Sequence, residues 1–293
     1  MATDGVDHMS HISQTQTPFP ARSDAPRAPS RGAVRIVGAG PGSADLLTLR
    51  ALDRLRDADV VVHDRLVDEA VLALAAPGAR RICVGKAPGR HLWRQEEINA
   101  LLLRLARGGE RVVRLKGGDP LIFGRGGEEV AYLRRAGVRV EIVPGVTAAA
   151  AAAATAAIPL THRAAASSVT FVTGHGRDGL PDLDWAALAR LDGTLAVYMG
   201  VANAGMLARR LIAHGLAGAT PVAVVEKASH PDQRVVEGDL QGLGVLIRDH
   251  RIAAPALILI GRAVGLRATG EAGDVGEPVS RAAALLGGLA PCL

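Results

Sequence analysis

The spacing of apolar and polar positions changes abruptly near residue 33. Residues 1–31 are rich in Ser, Thr, Pro, Asp and Arg and have little apolar periodicity. Such a segment cannot offset the entropy of ordering, so 1–32 is expected to be a disordered tail. From Ala33 on, short apolar runs alternate with stretches of helical period. AVRIVG (33–38), ADVVVHD (58–64), RICVG (81–85), RVVRLKG (111–117) and VRVEIVPG (138–145) read as strands. Between them, DLLTLRALDRLRDA (45–58), QEEINALLLRLARGG (95–109) and GEEVAYLRRAG (127–137) read as helices. Strands alternating with helices predict a mostly parallel α/β sheet.

The alanine run TAAAAAAATAAIPL (147–160) has high helix propensity but too little hydrophobicity for a membrane span. It is expected to form a buried helix that ends before Pro159. After it comes a second series of strand-like runs: SSVTFVTGH, TLAVYMG, PVAVVEKAS, RVVEG and PALILIGRAV. VANAGMLARRLIAHG (201–215) is the clearest helix among them. The expected organisation is therefore two α/β domains, 33–160 and 161–266, followed by a flexible C-terminal tail, 267–293. No internal repeat is convincing.

Composition narrows the function classes. No signal-peptide pattern opens the chain and no run is long and hydrophobic enough to span a bilayer, so a cytoplasmic protein without a membrane partner is expected. Two cysteines, Cys83 and Cys292, supply neither a disulfide framework nor a metal cluster, and no metal is expected. The net charge of +5 is compatible with nucleic acid or with an acidic small molecule. At 2% aromatic content there are few platforms for unstacked bases, and the basic residues form no blocks, so a nucleic-acid partner is not expected. Of 34 basic residues only Lys86, Lys116 and Lys227 are lysines, which suggests that Lys86 offers a compact ammonium able to give up a proton, as a guanidinium does not.

Two glycine loops carry candidate chemistry. Gly38-Ala39-Gly40-Pro41-Gly42-Ser43 follows a strand and precedes a helix, where a phosphate-cradling turn sits. Ser43 stands where a dinucleotide fingerprint needs its third glycine and Pro41 removes a backbone donor, so a tight turn that needs positive φ remains open beside the nucleotide reading. Lys116-Gly117-Gly118-Asp119-Pro120 also ends a strand. Its glycines admit close backbone approach and its carboxylate accepts hydrogen bonds from hydroxyl or amino groups, although the same tetrad is ordinary turn chemistry.

Taken in order, VGAGPGSADLLTLRA, VVVHDRLV, VGKAPGRH, QEEINALLLRLARGGERVVRLKGGDPLIFGRGGEE, VPGVTAA, IPLTHR, VYMG and PALILIGRAV resemble the uroporphyrinogen-III C-methyltransferases of the tetrapyrrole methylase family. The likeness runs from about Val34 to Val264 and is most specific from Arg111 to Glu129. It implies two α/β domains with S-adenosyl-L-methionine in the inter-domain cleft, and a homodimer. The implied reaction is two successive C-methylations of uroporphyrinogen III, giving precorrin-2 and S-adenosyl-L-homocysteine at the head of cobalamin and sirohaem biosynthesis.

The resemblance also implies roles for individual residues. Cofactor contacts fall on Pro41, Gly117, Gly118, Asp119, Ile122, Thr147, Ala148, Met199 and Ala228, the proton acceptor on Asp64 and the proton donor on Lys86. Arg65, Arg90, His91, Arg125 and Arg163 are candidates for the substrate carboxylates as a set. Each has a plainer reading: Asp64 as an ion-pair partner of Arg65 or a helix cap, Met199 as core packing, the arginines as solvated charges. Ser43, His63 and Ala87-Pro88 depart from the family pattern, which bears on substrate contacts more than on the cofactor site. Too little chain precedes Ala33 for the dehydrogenase and ferrochelatase domain of fused sirohaem synthases, so a monofunctional enzyme is expected. The competing expectations are a later corrin-pathway methyltransferase, a ribosomal RNA methyltransferase of related fold, and a non-enzymatic tetrapyrrole-binding protein.

Overall fold

The computed structural model describes residues 32–85, 93–176 and 179–267. Lys86, Arg90 and His91 lie outside the described residues, as do 1–31 and 268–293.

Five strands build the first sheet: β1 (Ala33–Gly38), β2 (Val60–His63), β3 (Arg80–Cys83), β4 (Val112–Lys116) and β5 (Arg139–Val143). They run in the order β3-β2-β4-β1-β5, and every pairing is parallel. The central strands are mainly apolar on both faces because both are covered by helices, with Arg35, Arg114 and Lys116 as buried exceptions. On one face Val37, Val61, Val113 and Leu115 pack against α1 (Leu49–Arg56) and α2 (Glu69–Leu72). On the other, Val34, Ile36, Val60, Val62 and Val112 pack against α3 (Gln95–Arg107) and α4 (Gly126–Arg135). Burying each such valine or leucine contributes roughly 1.5–3 kcal/mol, so the two layers account for most of what holds this sheet.

The first helix is shorter than its periodicity predicts. A 3-10 turn occupies Ala44–Leu46, and α1 begins only after Thr48, whose hydroxyl accepts the Ala51 N–H at 3.2 Å. A threonine that caps a helix cannot also sit inside it, so the helix occupies only the C-terminal part of the periodic run 45–58.

The second sheet contains β6 (Ser168–Thr173), β7 (Gly193–Tyr198), β8 (Pro221–Glu226), β9 (Arg234–Asp239) and β10 (Ala256–Ile260), in the order β6-β7-β10-β8-β9. Only β6 and β7 pair in parallel; the other pairings are antiparallel. One face packs on α6 (Trp185–Arg190), α7 (Ala204–Ala213) and α8 (Leu243–Asp249).

The opposite face of this sheet receives α5 (Ala148–Thr155), the alanine helix. Ala149, Ala152 and Ala156 meet Ala196, Ala223, Val225, Leu257 and Leu259 there. Alanine on both sides permits close approach, and larger side chains would overpack the contact. The helix is buried along one side only, since Ala150 and Ala154 are exposed. The expected buried helix is thus buried on one face, which a run of identical residues has no periodicity to indicate.

Candidate functional site

The two glycine loops lie side by side at the C-terminal ends of β1 and β4, the edge at which parallel sheets bind ligands. Gly40 and Gly118 exchange backbone hydrogen bonds, with N···O distances of 3.2 and 2.7 Å, and Ala39 N donates to Lys116 O at 2.7 Å. Behind them a Cβ on Gly38 would stand 2.5 Å from Gly145 N and 2.7 Å from Gly118 O, so backbone packs directly on backbone. Gly118 differs. Its φ is +66°, and a Cβ there would meet nothing nearer than Ala148 N at 3.9 Å. It forms the floor of an open cradle facing the start of α5.

This geometry decides what the first loop is. Gly40 has φ +75°, as the tight-turn reading requires. The 3-10 turn and Thr48 separate the loop from α1, so the N-terminus of that α-helix does not adjoin it, as a pyrophosphate site of the dinucleotide type needs.

Asp119 stiffens the second loop, Oδ1 accepting Leu121 N at 2.9 Å and Oδ2 accepting Gly145 N at 3.1 Å. Each oxygen keeps a further lone pair. Beyond it, Phe123 and Arg125 have positive φ (51° and 57°). The loops after β7 and β8 contribute Met199, Lys227 and Ser229, at 54°, 50° and 69°. Backbone held in this region costs of order 1–3 kcal/mol per residue and gathers where function fixes it. Among the described residues, five of the seven such non-glycine positions lie in these three loops.

Side chains join the loops of the two sheets. Tyr198, the last residue of β7, places its hydroxyl 2.5 Å from Thr147 Oγ1, and its ring centroid lies 5.0 Å from that of Phe123 and 5.8 Å from that of Phe171. Burial raises the Tyr198 phenol above its ordinary range, and the hydrogen bonds from Thr147 and Ala149 only partly oppose this. Ser43 N donates to Ser229 Oγ at 3.2 Å, and a Cβ on Gly42 would collide with the His230 ring. His230 Nδ1 in turn lies 3.5 Å from Asp68 Oδ2.

Asp64 follows β2 and is the outermost member of a charged cluster. Arg114 Nη2 donates to its Oδ1 at 2.5 Å, and Lys116 Nζ stands 3.7 Å from Oδ2. Arg114 Nε, Lys116 Nζ and Gln95 Nε2 each donate to Glu129 Oε1 at 3.1 Å. Side-chain exposure is 30% at Asp64 but 2%, 4% and 0% at Arg114, Lys116 and Glu129. Reading the sequence missed the three buried members. For two of them a signal was available: Arg114 and Lys116 occupy alternate positions of a central strand, on the side that Val112 shows to be core.

Of the anticipated cofactor residues, Pro41, Gly117, Gly118, Asp119 and Ile122 lie in the two glycine loops, Thr147 and Ala148 open α5, and Met199 and Ala228 follow β7 and β8. Met199 is half exposed with positive φ, which removes the core-packing alternative: the strand ends one residue before it. Arg65 and Arg163 are exposed. Arg125 is engaged by Glu128 through two hydrogen bonds of 2.9 and 2.7 Å, which hold its charge in place and keep its pKa raised. Among the described residues no group of His, Cys, Asp and Glu is arranged to hold a metal ion, and no helix is long and apolar enough to cross a membrane.

Comparison with known proteins gives a consistent picture. The pattern of the Tetrapyrrole (Corrin/Porphyrin) Methylases matches residues 33–244. Siroheme synthase 1 of Yersinia enterocolitica is 54% identical over 237 residues, which is 81% of this chain and 50% of that protein. The chain thus spans about half the length of the curated relatives it matches. The uroporphyrin-III C-methyl transferase of Thermus thermophilus, solved with S-adenyl homocysteine, is 46% identical with a TM-score of 0.69, covering 80% of this chain and 99% of that one. A cobalt precorrin-4 methyltransferase is 35% identical with a TM-score of 0.72, covering 80% and 96%.

Proposed function

The chain belongs to the tetrapyrrole methylases, and from that premise we propose that it transfers methyl groups from S-adenosyl-L-methionine to carbon atoms of uroporphyrinogen III. The observation that carries the reading is the 46% identity across 99% of a uroporphyrin-III C-methyl transferase whose structure holds S-adenyl homocysteine. The methyl donor supplies an activated methyl group when bound, and the electron-rich pyrrole carbon needs no enzyme nucleophile. The protein's part is then positioning and proton removal.

The residues fit a ligand of that kind. Gly118 leaves room where a side chain would fill the cradle, and the Asp119 carboxylate offers acceptors to hydroxyl or ammonium groups. Thr147, Ala148, Met199 and Ala228 complete the surround from α5 and the second sheet. Leu66, Leu121 and Phe123 are exposed apolar side chains of the β2 and β4 loops, a surface suited to the face of a macrocycle. Asp64, the exposed end of its cluster, is the acceptor for the proton lost from the methylated ring. Lys86 is assigned the donor role, and Arg65, Arg90, His91, Arg125 and Arg163 the carboxylate rim, from the sequence. The protein works as a homodimer in the cytoplasm, with product entering the sirohaem or cobalamin branch.

An anaerobic assay tests this. Purified protein with S-adenosylmethionine and uroporphyrinogen III is expected to yield a coloured dimethylated product and two equivalents of S-adenosylhomocysteine. No product at any enzyme concentration would refute the assignment. The likeness to a precorrin-4 methyltransferase favours a second reading, in which a precorrin is methylated and uroporphyrinogen III is not.

A further inference from the structure

The cluster behind Asp64 is badly designed as a hydrophobic core. Three charged side chains of the first sheet and α4 are out of water, and Glu129 Oε2 is buried without a partner. Desolvating such groups costs more than well-packed apolar residues of the same volume would, so stability alone does not account for them. What the arrangement does is present one carboxylate to the site with its orientation and electrostatic surroundings fixed. Arg114 and Lys116 both turn from Asp64 to Glu129. Gln95, itself hydrogen-bonded to Asn99 at 3.1 Å, closes the cluster from α3.

We propose that Glu129 is a positioning residue for the methyl transfer: by anchoring Arg114 and Lys116 it orients the Asp64 carboxylate and sets how readily that carboxylate takes a proton. The inference rests on the function proposed above and on Asp64 as acceptor. The charges behind Asp64 are two cations and one anion, a net of plus one. The other groups facing the cluster are Gln95 and Asn99 of α3 and the carbonyls of Val62 and Leu115, 3.5 and 3.3 Å from Arg114 Nη1. Glu128 on α4 also feels the charge of Lys116, and His63 Nδ1 lies 3.1 Å from the Asp64 carbonyl oxygen. Neutralising Glu129 raises the net to plus two, which makes Asp64 a poorer acceptor. Neutralising Lys116 lowers the net to zero, with the opposite effect.

The test is the pH profile of kcat/KM for the intact enzyme and for Glu129→Gln, Glu129→Asp and Lys116→Gln, with S-adenosylhomocysteine affinity measured for each. The acid limb is expected to move down by about one pH unit in Glu129→Gln and up by about as much in Lys116→Gln. Turnover on the plateau should fall roughly tenfold or more in Glu129→Gln, recover in part in Glu129→Asp, and leave S-adenosylhomocysteine affinity within about twofold. Substrate carboxylates titrate alike in every sample, so the displacement belongs to the protein. Limbs that superimpose in an active enzyme would overturn the inference, whatever happens to the melting temperature. If Glu129→Gln does not fold, an unmoved limb in Lys116→Gln overturns it alone. An intact enzyme without turnover would remove the proposed function and this inference together, which separates the two failures.

Discussion

The Tyr198 hydroxyl accepts the Ala149 N–H at 3.1 Å while lying 2.5 Å from Thr147 Oγ1, so a side chain of the second sheet caps the first turn of α5. Thr147 occupies the N-cap position but makes no capping bond of its own. The tyrosine therefore satisfies a helix donor that would otherwise be orphaned, and it ties the start of α5 to the end of β7.

Tyr198→Phe keeps the ring against Phe123 and Phe171 and removes the cap together with the hydrogen bond to Thr147 Oγ1. The expected cost is about 1 kcal/mol, or roughly 2–4 °C in Tm for a chain of this size. The pH dependence has a definite sign. Burial raises the folded phenol's pKa, so the folded state keeps a proton that the unfolded chain releases. The contribution is complete below the ordinary tyrosine value of about 10 and is lost as pH rises beyond it towards the folded value. Denaturant melts between about pH 9 and pH 11 should converge for the two proteins, and parallel curves would show that the hydroxyl is not protected.

Gly118→Val tests the cradle. The position has φ +66° and open space in front of it, so valine both strains the backbone and fills the volume assigned to the ligand. Calorimetric affinity for S-adenosylhomocysteine should fall by about a hundredfold or more, with a stability loss of roughly 1–2 kcal/mol. Unchanged affinity in the folded variant would make the loop a turn and nothing else.

What could be read in the sequence follows from where its signals are local. The ten strand positions and the long helices α3, α4 and α7 are carried by periodicity, and the glycine loops by residues that few other structures tolerate. The antiparallel pairing of β8, β9 and β10 left no trace, because pairing partners are set by tertiary packing and not by the strand's own pattern. The same holds for the site. Asp64 was found by its motif, whereas Glu129 stands beside Glu128 in a helix and nothing local says that one is buried and the other paired with exposed Arg125.

Away from the site, Glu141 holds the outer strand of the first sheet. Arg54 donates to it twice, at 2.7 and 2.9 Å, and Arg35 Nε lies 3.8 Å away. Burial by itself would raise the Glu141 carboxyl, but the Arg54 hydrogen bond and the nearby arginine charges outweigh it and hold the pKa below the usual carboxylate range. A depressed folded pKa stabilises above the unfolded value of about 4.3 and is lost as pH falls through the folded one. Glu141→Gln should therefore lower stability by about 1 kcal/mol at neutral pH, converge with the parent in acid, and leave S-adenosylhomocysteine affinity untouched. A change in affinity would mean that this edge communicates with the cradle.

The catalytic assignment itself is tested at Asp64 and Lys86. Asparagine at 64 retains an oxygen to accept from Arg114 Nη2, so the cluster keeps its shape, but it cannot take a proton at neutral pH. Removing the charge leaves Arg114 and Lys116 facing Glu129 alone, and a drop in Tm is expected for that reason. It must be measured separately from turnover. Lys86→Arg preserves charge while replacing an ammonium that can release a proton with a guanidinium that does not. Both variants are expected to bind S-adenosylhomocysteine as the parent does while turnover falls by roughly a hundredfold or more, the scale of a lost general acid or base. If turnover in either stays within a few-fold of the parent, that residue holds substrate or structure, and the proton moves by another route.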